Sequence, residues 1–247
     1  MVLATSILLP LYLYPTDGAW TWATNEIAAY PSLAFTVIVN PESGPGVLND
    51  YPEDGYISGI TNLTKYDNVK LLGYVDTQYM AKSTAEVDKE VETYKYWSTY
   101  TKGNIAVDGI FFDDAVNEWT SDSSSYMTTI AENAHALNLT VTLNPGTIAD
   151  SEFFTIADKV VMIEDDYSAY SSKKGNSLEK IASTQQEQSS VIIYDFSGSQ
   201  SQQTNTVNSI IASGVAEVYI TTVEYTSQSN MWTEFVAAVN SAVGTSN

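Results

Sequence analysis

Val107-Asp108-Gly109-Ile110-Phe111-Phe112-Asp113-Asp114 is the stretch of the chain that decides its fold class. The run is almost continuously apolar, which is typical of a strand covered on both faces in a parallel sheet. It ends in two adjacent carboxylates, and the carboxyl ends of strands form the ligand site in parallel α/β folds. A second apolar run, Val160 to Ile163, is followed by Glu164 in the same way. The two runs together predict acid/base chemistry carried out by carboxylates.

Strand-like apolar runs recur along the whole chain, and helical periodicities lie between most of them. The runs are Ile7 to Tyr14, Leu33 to Asn40, Val69 to Asp76, Val107 to Asp114, Leu139 to Asn144, Val160 to Glu164, Val191 to Phe196, and Val218 to Thr222. A capping box, Ser83 to Glu86, precedes one helical pattern. Alternation of about eight strands with helices is typical of a TIM barrel. No long linker divides the chain, so we predict an α/β protein with a single (β/α)8 TIM-type domain over residues 1–247.

The charge balance of the 247-residue chain limits the partners that it can have. Thirty acidic residues against 10 basic ones give a formal net charge of -20. This balance argues against nucleic acid and anionic membrane as partners, because both need basic patches. The chain has no cysteine, and His135 is its one histidine, which argues against thiolate and histidine metal sites and against histidine-based triads. We therefore predict no metal and no cofactor.

Other features bear on where the protein acts. The apolar start, Ile7 to Tyr14, is too short to span a bilayer and reads as the first strand. Two glycosylation acceptors, Asn62-Leu63-Thr64 and Asn138-Leu139-Thr140, favour a secreted or cell-wall-associated protein. The exposed helix faces are polar and offer no obvious apolar patch, so we predict a monomer. The Ser- and Asp-rich segment from Trp119 to Tyr126 is interpreted as a solvated loop.

Polar residues follow most of the predicted strands, and in a barrel these strand ends converge on one face. Aromatic rings stack on pyranose faces, while amides and carboxylates hydrogen-bond to sugar hydroxyls. These residue types together therefore predict a sugar-binding groove. The predicted catalytic residues are Asp113, Asp114 and Glu164, and the predicted substrate-binding residues are Tyr12, Tyr14, Asn40, Tyr74, Asp76, Asn144 and Tyr194. Ordinary barrel packing is the alternative for the tyrosines. Successive side chains of a strand point to opposite faces, so only one of Asp113 and Asp114 can point towards the site. The pattern does not show which one.

Six sequence pieces, taken in order, carry a resemblance to a known family. They are Leu9 to Pro15, Val37 to Pro41 with Gly44-Pro45-Gly46, Leu72 to Thr77, Val107 to Asp114, Leu143 to Gly146, and Ile163-Glu164. This set resembles the spherulin-4 family of fungi and slime moulds. The resemblance covers nearly the whole chain and is weakest after about residue 200, judged by register with the barrel pattern.

The resemblance implies a (β/α)8 glycoside hydrolase, typified by endo-α-1,4-N-acetylgalactosaminidases that act on galactosaminogalactan, a fungal cell-wall and biofilm polysaccharide. Carried over to this chain, it assigns the active site to Asp113, Asp114 and Glu164. The family pattern at the fourth strand is Asp-Glu, and Asp114 departs from it. The shorter side chain implies either that Asp114 has a supporting role or that the substrate or activity has shifted.

Glycosidic cleavage needs one protonated acid and one ionised carboxylate. Glu164 is the predicted acid because it ends an apolar run, and burial raises the pKa of a carboxyl group. Asp113 is expected to stay ionised, either as the nucleophile or to orient a 2-acetamido group of the substrate. Two alternatives remain: a Mg²⁺-dependent barrel enzyme that uses Asp76, Asp113 or Asp114, and Glu164, and a non-catalytic glycan-binding or wall-associated protein on a hydrolase scaffold.

Overall fold

The computed structural model describes residues 5–16, 18–172 and 177–245. Eight parallel strands follow one another in chain order and close into one barrel, because β8 pairs with β1. The strands are β1 Ser6–Leu11, β2 Phe35–Val39, β3 Val69–Asp76, β4 Gly109–Asp113, β5 Thr140–Leu143, β6 Lys159–Asp166, β7 Ser189–Tyr194 and β8 Glu217–Ile220. Each predicted apolar run contributes one of these strands, and the TIM-type barrel is confirmed.

Helices surround the barrel and bury their apolar faces against it. Those in the described residues are α1 Thr21–Ala29, α2 Asp54–Leu63, α3 Thr84–Tyr96, α4 Ser121–Ala136, α5 Tyr167–Ser172, α6 Gln200–Ala212 and α7 Trp232–Thr245. The predicted capping box is present at the start of α3, where Ser83 accepts from the backbone N–H of Glu86. A short 3-10 helix, Ser151–Thr155, connects β5 to β6. No helix in the described part of the chain is long and apolar enough to span a membrane.

The prediction of a solvated loop before Tyr126 is wrong, because α4 begins at Ser121. Thr120 caps this helix by accepting from the backbone N–H of Ser123. The Ser123 side chain in turn binds the backbone N–H of Thr120 at 2.7 Å. Ser and Asp favour loops, but they also favour the cap and first turn of a helix, and here the cap geometry decides.

The amino-terminal end of the barrel is closed by a polar cluster around Glu217, whose side chain is fully buried. Its carboxylate accepts hydrogen bonds from Thr36 at 2.6 Å and from Ser190 at 2.8 Å, and it pairs with Lys159. A buried charge is tolerated only when it is paired and hydrogen-bonded in this way. The predicted site residues Asp113 and Glu164 lie towards the opposite end of the barrel, near the carboxyl ends of β4 and β6.

Candidate active site

A cavity of about 420 Å³ lies at the carboxyl ends of the strands. Its lining residues come from strands and loops that are remote from one another in sequence, as this face of the fold allows. They are Tyr79, Asp113, Asp114, Asn144, Pro145, Gly146, Glu164, Tyr194, Glu224 and Tyr225. Five of the predicted site residues are among them, including all three predicted catalytic carboxylates. None of the lining residues is Lys or Arg.

Asp113 is the last residue of β4, and both of its carboxylate oxygens are held. The Tyr74 hydroxyl donates to Oδ2 at 2.6 Å, and the Asn144 amide donates to Oδ1 at 2.7 Å. The neighbouring strands supply these donors, since Tyr74 lies in β3 and Asn144 follows β5 directly. The carboxylate is therefore fixed in position before any ligand binds.

Glu164 lies in β6, directly after a β-bulge. The register with β7 passes from Val161 opposite Ser190 to Ile163 opposite Val191, so β6 contains one extra residue. Bulges bend a strand and redirect its side chains, and they are common beside active sites. One Glu164 oxygen accepts from the Asn144 amide at 2.7 Å, and the other accepts from the Tyr225 hydroxyl.

Asn144 connects the two carboxylates. Its Oδ1 accepts from the backbone N–H of Gly146 at 3.0 Å, so the amide group must direct Nδ2 towards the carboxylates. Asp113 and Glu164 each accept from that nitrogen at 2.7 Å. The angle between the two N–H bonds of an amide is about 120°, which places the facing oxygens roughly 5 Å apart. One asparagine thus sets the spacing of the pair.

The surroundings raise the pKa of both carboxyl groups. Burial is the main cause for Glu164, and the charge of Asp113 adds to it, while the bonds from Tyr225 and Asn144 oppose it. Burial also raises the pKa of Asp113, against three opposing donors: Tyr74, the backbone N–H of Asp114, and Asn144. Donors favour the ionised form. Asp113 has three such donors and Glu164 has two, so the hydrogen bonds favour ionisation of Asp113 more than ionisation of Glu164.

Asp114 has a backbone conformation that explains its identity. Its φ angle of 49° lies in the left-handed region, which Asp and Asn adopt more readily than other residues with a side chain. Its carbonyl accepts from the backbone N–H of Tyr79 at 2.9 Å and from the Thr77 hydroxyl at 2.8 Å. An aspartate therefore suits this position, where the family resemblance leads one to expect a glutamate.

Tyrosines line the cavity and also pack against the residues that line it. The Tyr12 ring packs edge-on against Tyr74 at 5.5 Å and against Tyr225 at 5.7 Å, measured between ring centroids. These two neighbours are the tyrosines that donate to Asp113 and Glu164. Tyr12 therefore packs against both of the tyrosines that hold Asp113 and Glu164. Tyr194 lines the cavity beside Tyr225.

Five predicted substrate-binding residues do not line this cavity: Tyr12, Tyr14, Asn40, Tyr74 and Asp76. Tyr12 and Tyr74 contact residues that do line it. The Tyr14 side chain is 47% exposed and lines a neighbouring cavity of about 280 Å³. The Asn40 side chain accepts from the backbone N–H of Gly44 at 3.2 Å, and Asp76 accepts from that of Gln78 at 2.8 Å. The structure thus gives Asn40 and Asp76 roles in loop geometry, and their contact with a substrate stays a prediction.

Three polar residues that line the cavity were not predicted from the sequence: Tyr79, Glu224 and Tyr225. All three lie on loops beyond the strand ends, where no periodicity marks the direction of a side chain. The sequence did offer one indication of these residues. Each lies only a few positions after a predicted strand, which ends at Asp76 or at Thr222.

The donor set of the cavity bears on the magnesium alternative. Among the residues that the structure describes, no group of three or more His, Cys, Asp or Glu side chains is arranged to hold a metal ion. The Asp76 carboxylate binds its own loop, and one amide bridges Asp113 and Glu164.

Comparison with known proteins identifies the family of the chain and a solved structure of similar fold. Residues 6–239 match the family described as Spherulin4, spherulation-specific family 4. Spherulin-4 of Physarum polycephalum is 32% identical over 226 residues, which are 87% of this chain and 62% of that protein, so the chain spans less than two thirds of this relative. A crystal structure of Aspergillus clavatus Sph3 in complex with GalNAc has a TM-score of 0.85 at 31% identity, covering 96% of this chain and 98% of that one.

Proposed function

The chain belongs to the spherulin-4 family, and from this premise we propose that it is a glycoside hydrolase that cleaves α-1,4-linked N-acetylgalactosamine polysaccharide of the galactosaminogalactan type. The observation that carries the proposal is the pair of carboxylates, Asp113 and Glu164, each 2.7 Å from the Asn144 amide nitrogen at the base of an open cavity. The sugar class is supported by the similar protein Sph3, whose crystal structure contains GalNAc.

Glu164 is the proposed general acid. Burial raises the pKa of its carboxyl group, so the group keeps a proton at pH values at which an exposed glutamate is ionised. That proton would pass to the glycosidic oxygen as the bond to the leaving sugar breaks. The Tyr225 hydroxyl and the Asn144 amide hold the carboxyl group in place for this transfer.

Asp113 is the proposed nucleophile, and its three donors favour the ionised form against the effect of burial, which raises its pKa. Retaining glycosidases place their carboxyl groups about 5–5.5 Å apart, whereas inverting enzymes leave about 6.5–9.5 Å for a water molecule. The facing oxygens of Asp113 and Glu164 are roughly 5 Å apart, since they share one amide nitrogen. This spacing supports a retaining reaction through a covalent glycosyl intermediate.

The rest of the cavity supports an amino-sugar polymer as the substrate. Tyrosine rings offer stacking surfaces for pyranose faces, and the carboxylates of Asp114 and Glu224 line the same space. A partly deacetylated polymer carries ammonium groups, which an acidic cavity without lysine or arginine attracts. Action outside the cell, on wall polysaccharide, is part of the proposal, and the two Asn-x-Thr acceptors support it.

The function is tested by mass spectrometry of the products formed from purified α-1,4-linked galactosaminogalactan. Short N-acetylgalactosamine oligomers from the native protein, and none from the Glu164→Gln variant, are the expected result. Polymer that stays bound without any release of oligomers would instead support the glycan-binding alternative.

Replacing Tyr225 by Phe is expected to move the alkaline limb of the pH–rate profile to higher pH. The Tyr225 hydroxyl donates to the Glu164 carboxylate and so lowers its pKa. Without this bond the pKa of Glu164 rises, and the acid stays protonated to higher pH. The measurement is kcat/KM against pH for the variant and the native protein.

The matched control for this prediction is Tyr74→Phe, which removes the corresponding bond to Asp113. Without this bond the pKa of Asp113 rises, so the nucleophile becomes protonated at a higher pH. The acidic limb of the pH–rate profile therefore moves to higher pH, instead of the alkaline limb. Both variants keep the ring that packs against Tyr12. If both changes moved the same limb, the separate roles of the two carboxyl groups would be wrong.

A further inference from the structure

The loop after β3 contains an unusual backbone turn at the edge of the catalytic cavity. Gln78, Tyr79 and Met80 have φ angles of 51°, 50° and 71°, so three consecutive residues with side chains adopt left-handed conformations. Residues other than glycine usually enter this region singly, because Cβ then lies too close to the backbone carbonyl oxygen. Such strain persists only where the surrounding structure enforces it, and it is concentrated at functional sites.

Hydrogen bonds connect this turn to the end of the catalytic strand β4. The backbone N–H of Tyr79 donates to the carbonyl of Asp114 at 2.9 Å, and the backbone N–H of Thr77 donates to the carbonyl of Asp113 at 3.0 Å. The buried Thr77 hydroxyl donates to both of these carbonyls, at 2.9 Å and 2.8 Å. The turn is thus held directly against the two aspartates.

Backbone N–H groups within the turn also have hydrogen-bond acceptors. The Asp76 carboxylate accepts from the backbone N–H of Gln78, and the N–H of Met80 donates to the carbonyl of Thr77 at 3.0 Å. The N–H of Ala81 donates to the carbonyl of Gln78 at 2.9 Å. The backbone is therefore ordered without any contribution from the side chain of Tyr79.

The Tyr79 side chain is the group that this strained backbone presents. It is 63% exposed, it lines the catalytic cavity, and a hydrogen bond to Asp114 raises the pKa of its hydroxyl. A tyrosine kept for stability normally buries its ring, as Tyr94 does with 0% exposure. Packing of the Tyr79 ring therefore does not account for the turn.

We infer that Tyr79 is a substrate-contacting residue, whose ring forms the platform for the sugar that lies against Asp113 and Asp114. The left-handed turn holds that ring over the cavity, and Thr77 and Asp76 position the turn. The apolar face of a pyranose stacks on such a ring, while a hydroxyl beside Asp114 can bind a sugar hydroxyl. The inference rests on the proposed function, since it takes the same polysaccharide as the ligand.

The test is the affinity of a short α-1,4-linked N-acetylgalactosamine oligosaccharide, measured by calorimetry in the Glu164→Gln background so that turnover does not interfere. Tyr79→Ala is expected to weaken binding by about tenfold or more, and Tyr79→Phe by less than about threefold. The matched control is Tyr96→Ala, which removes a 40% exposed tyrosine on α3 that does not line the cavity. It should leave the affinity unchanged.

The outcomes separate this inference from the proposed function. Binding that is equally strong in Tyr79→Ala overturns the platform and leaves the hydrolase proposal intact. If binding depends on Tyr79 but the native protein does not cleave the polymer, the platform is supported and the hydrolase proposal is overturned. Absence of oligosaccharide binding in the Glu164→Gln protein that keeps Tyr79 overturns both. The melting temperature should be the same for Tyr79→Ala and the native protein, because the ring packs little; a large decrease would assign the residue to stability instead.

Discussion

Replacing Glu164 by Gln is expected to lower the turnover of the polysaccharide by about 10³-fold, because general acid catalysis commonly contributes between 10² and 10⁴. The variant cannot donate the proton that the leaving sugar needs. The measurement is the initial rate of reducing-end release from α-1,4-linked N-acetylgalactosamine polymer. Retention of more than about a tenth of the native rate would remove Glu164 from this role.

The hydrogen bonds around position 164 can survive this change, which makes the variant informative. The glutamine carbonyl can accept from Asn144, and its amide can donate to Tyr225 once that hydroxyl rotates to act as an acceptor. Since the folded-state pKa of Glu164 is raised, the stability contributed by its protonation is present at low pH and is lost as the pH rises through that pKa. The uncharged glutamine avoids this loss, so its melting temperature at neutral pH should equal or exceed that of the native protein.

A substrate with a better leaving group separates acid catalysis from a structural role of Glu164. A nitrophenol leaves without protonation, so a nitrophenyl glycoside should react in the Glu164→Gln variant at a rate much closer to that of the native protein. A loss that is equally large for both substrates would indicate that Glu164 holds the site in shape rather than supplying a proton.

The barrel could be predicted because buried parallel strands leave a strong sequence signal. Strands covered on both faces need apolar residues at almost every position, as in Ile110 to Phe112 of β4. The position of Asp113 and Glu164 in one cavity could be predicted for the same reason, since they end such runs at the face where parallel barrels bind ligands. This part of the site follows from strand physics alone.

The direction of the two aspartates could not be predicted. Strand alternation applies only while the chain stays extended, and β4 ends at Asp113. At Asp114 the backbone turns into the left-handed region, which sends its side chain to the rim of the cavity. The hydrogen bonds that hold this conformation come from Thr77 and Tyr79, about 35 residues earlier, and no local pattern encodes them.

The loop residues Tyr79 and Tyr225 show the same limit. Tyr225 donates to Glu164 although 61 residues separate them, and Tyr79 reaches the cavity only through a left-handed turn. Their positions depend on long-range contacts between loops on one face of the barrel. Tyr14 shows the converse, since it follows a predicted strand end but lines the neighbouring cavity.

Replacing Asp113 by Asn is expected to lower turnover by roughly 10³- to 10⁴-fold, because no nucleophile then remains to form the glycosyl intermediate. An asparagine at position 113 keeps the shape of the aspartate side chain. Its carbonyl oxygen can still accept from the Asn144 amide, and its amide nitrogen then faces the Tyr74 hydroxyl. The measurement is the initial rate on the same polymer. In the native reaction, NMR of the first product should show the anomeric configuration of the substrate.

The adjacent aspartate supplies the matched control, since Asp114→Asn makes the same chemical change one residue away. Asparagine tolerates the left-handed backbone at position 114 as well as aspartate does, so the fold should be unaffected. The expected loss is only about tenfold, because Asp114 lines the cavity but lies outside the hydrogen-bonded pair.

A further variant, Asp113→Ala, leaves space for azide, which should restore part of the rate and yield a glycosyl azide of inverted configuration. If Asp114→Asn caused the larger loss, or if azide rescued that position instead, the nucleophile would be Asp114, and the shorter side chain that distinguishes this protein would lie at the reacting carbon itself.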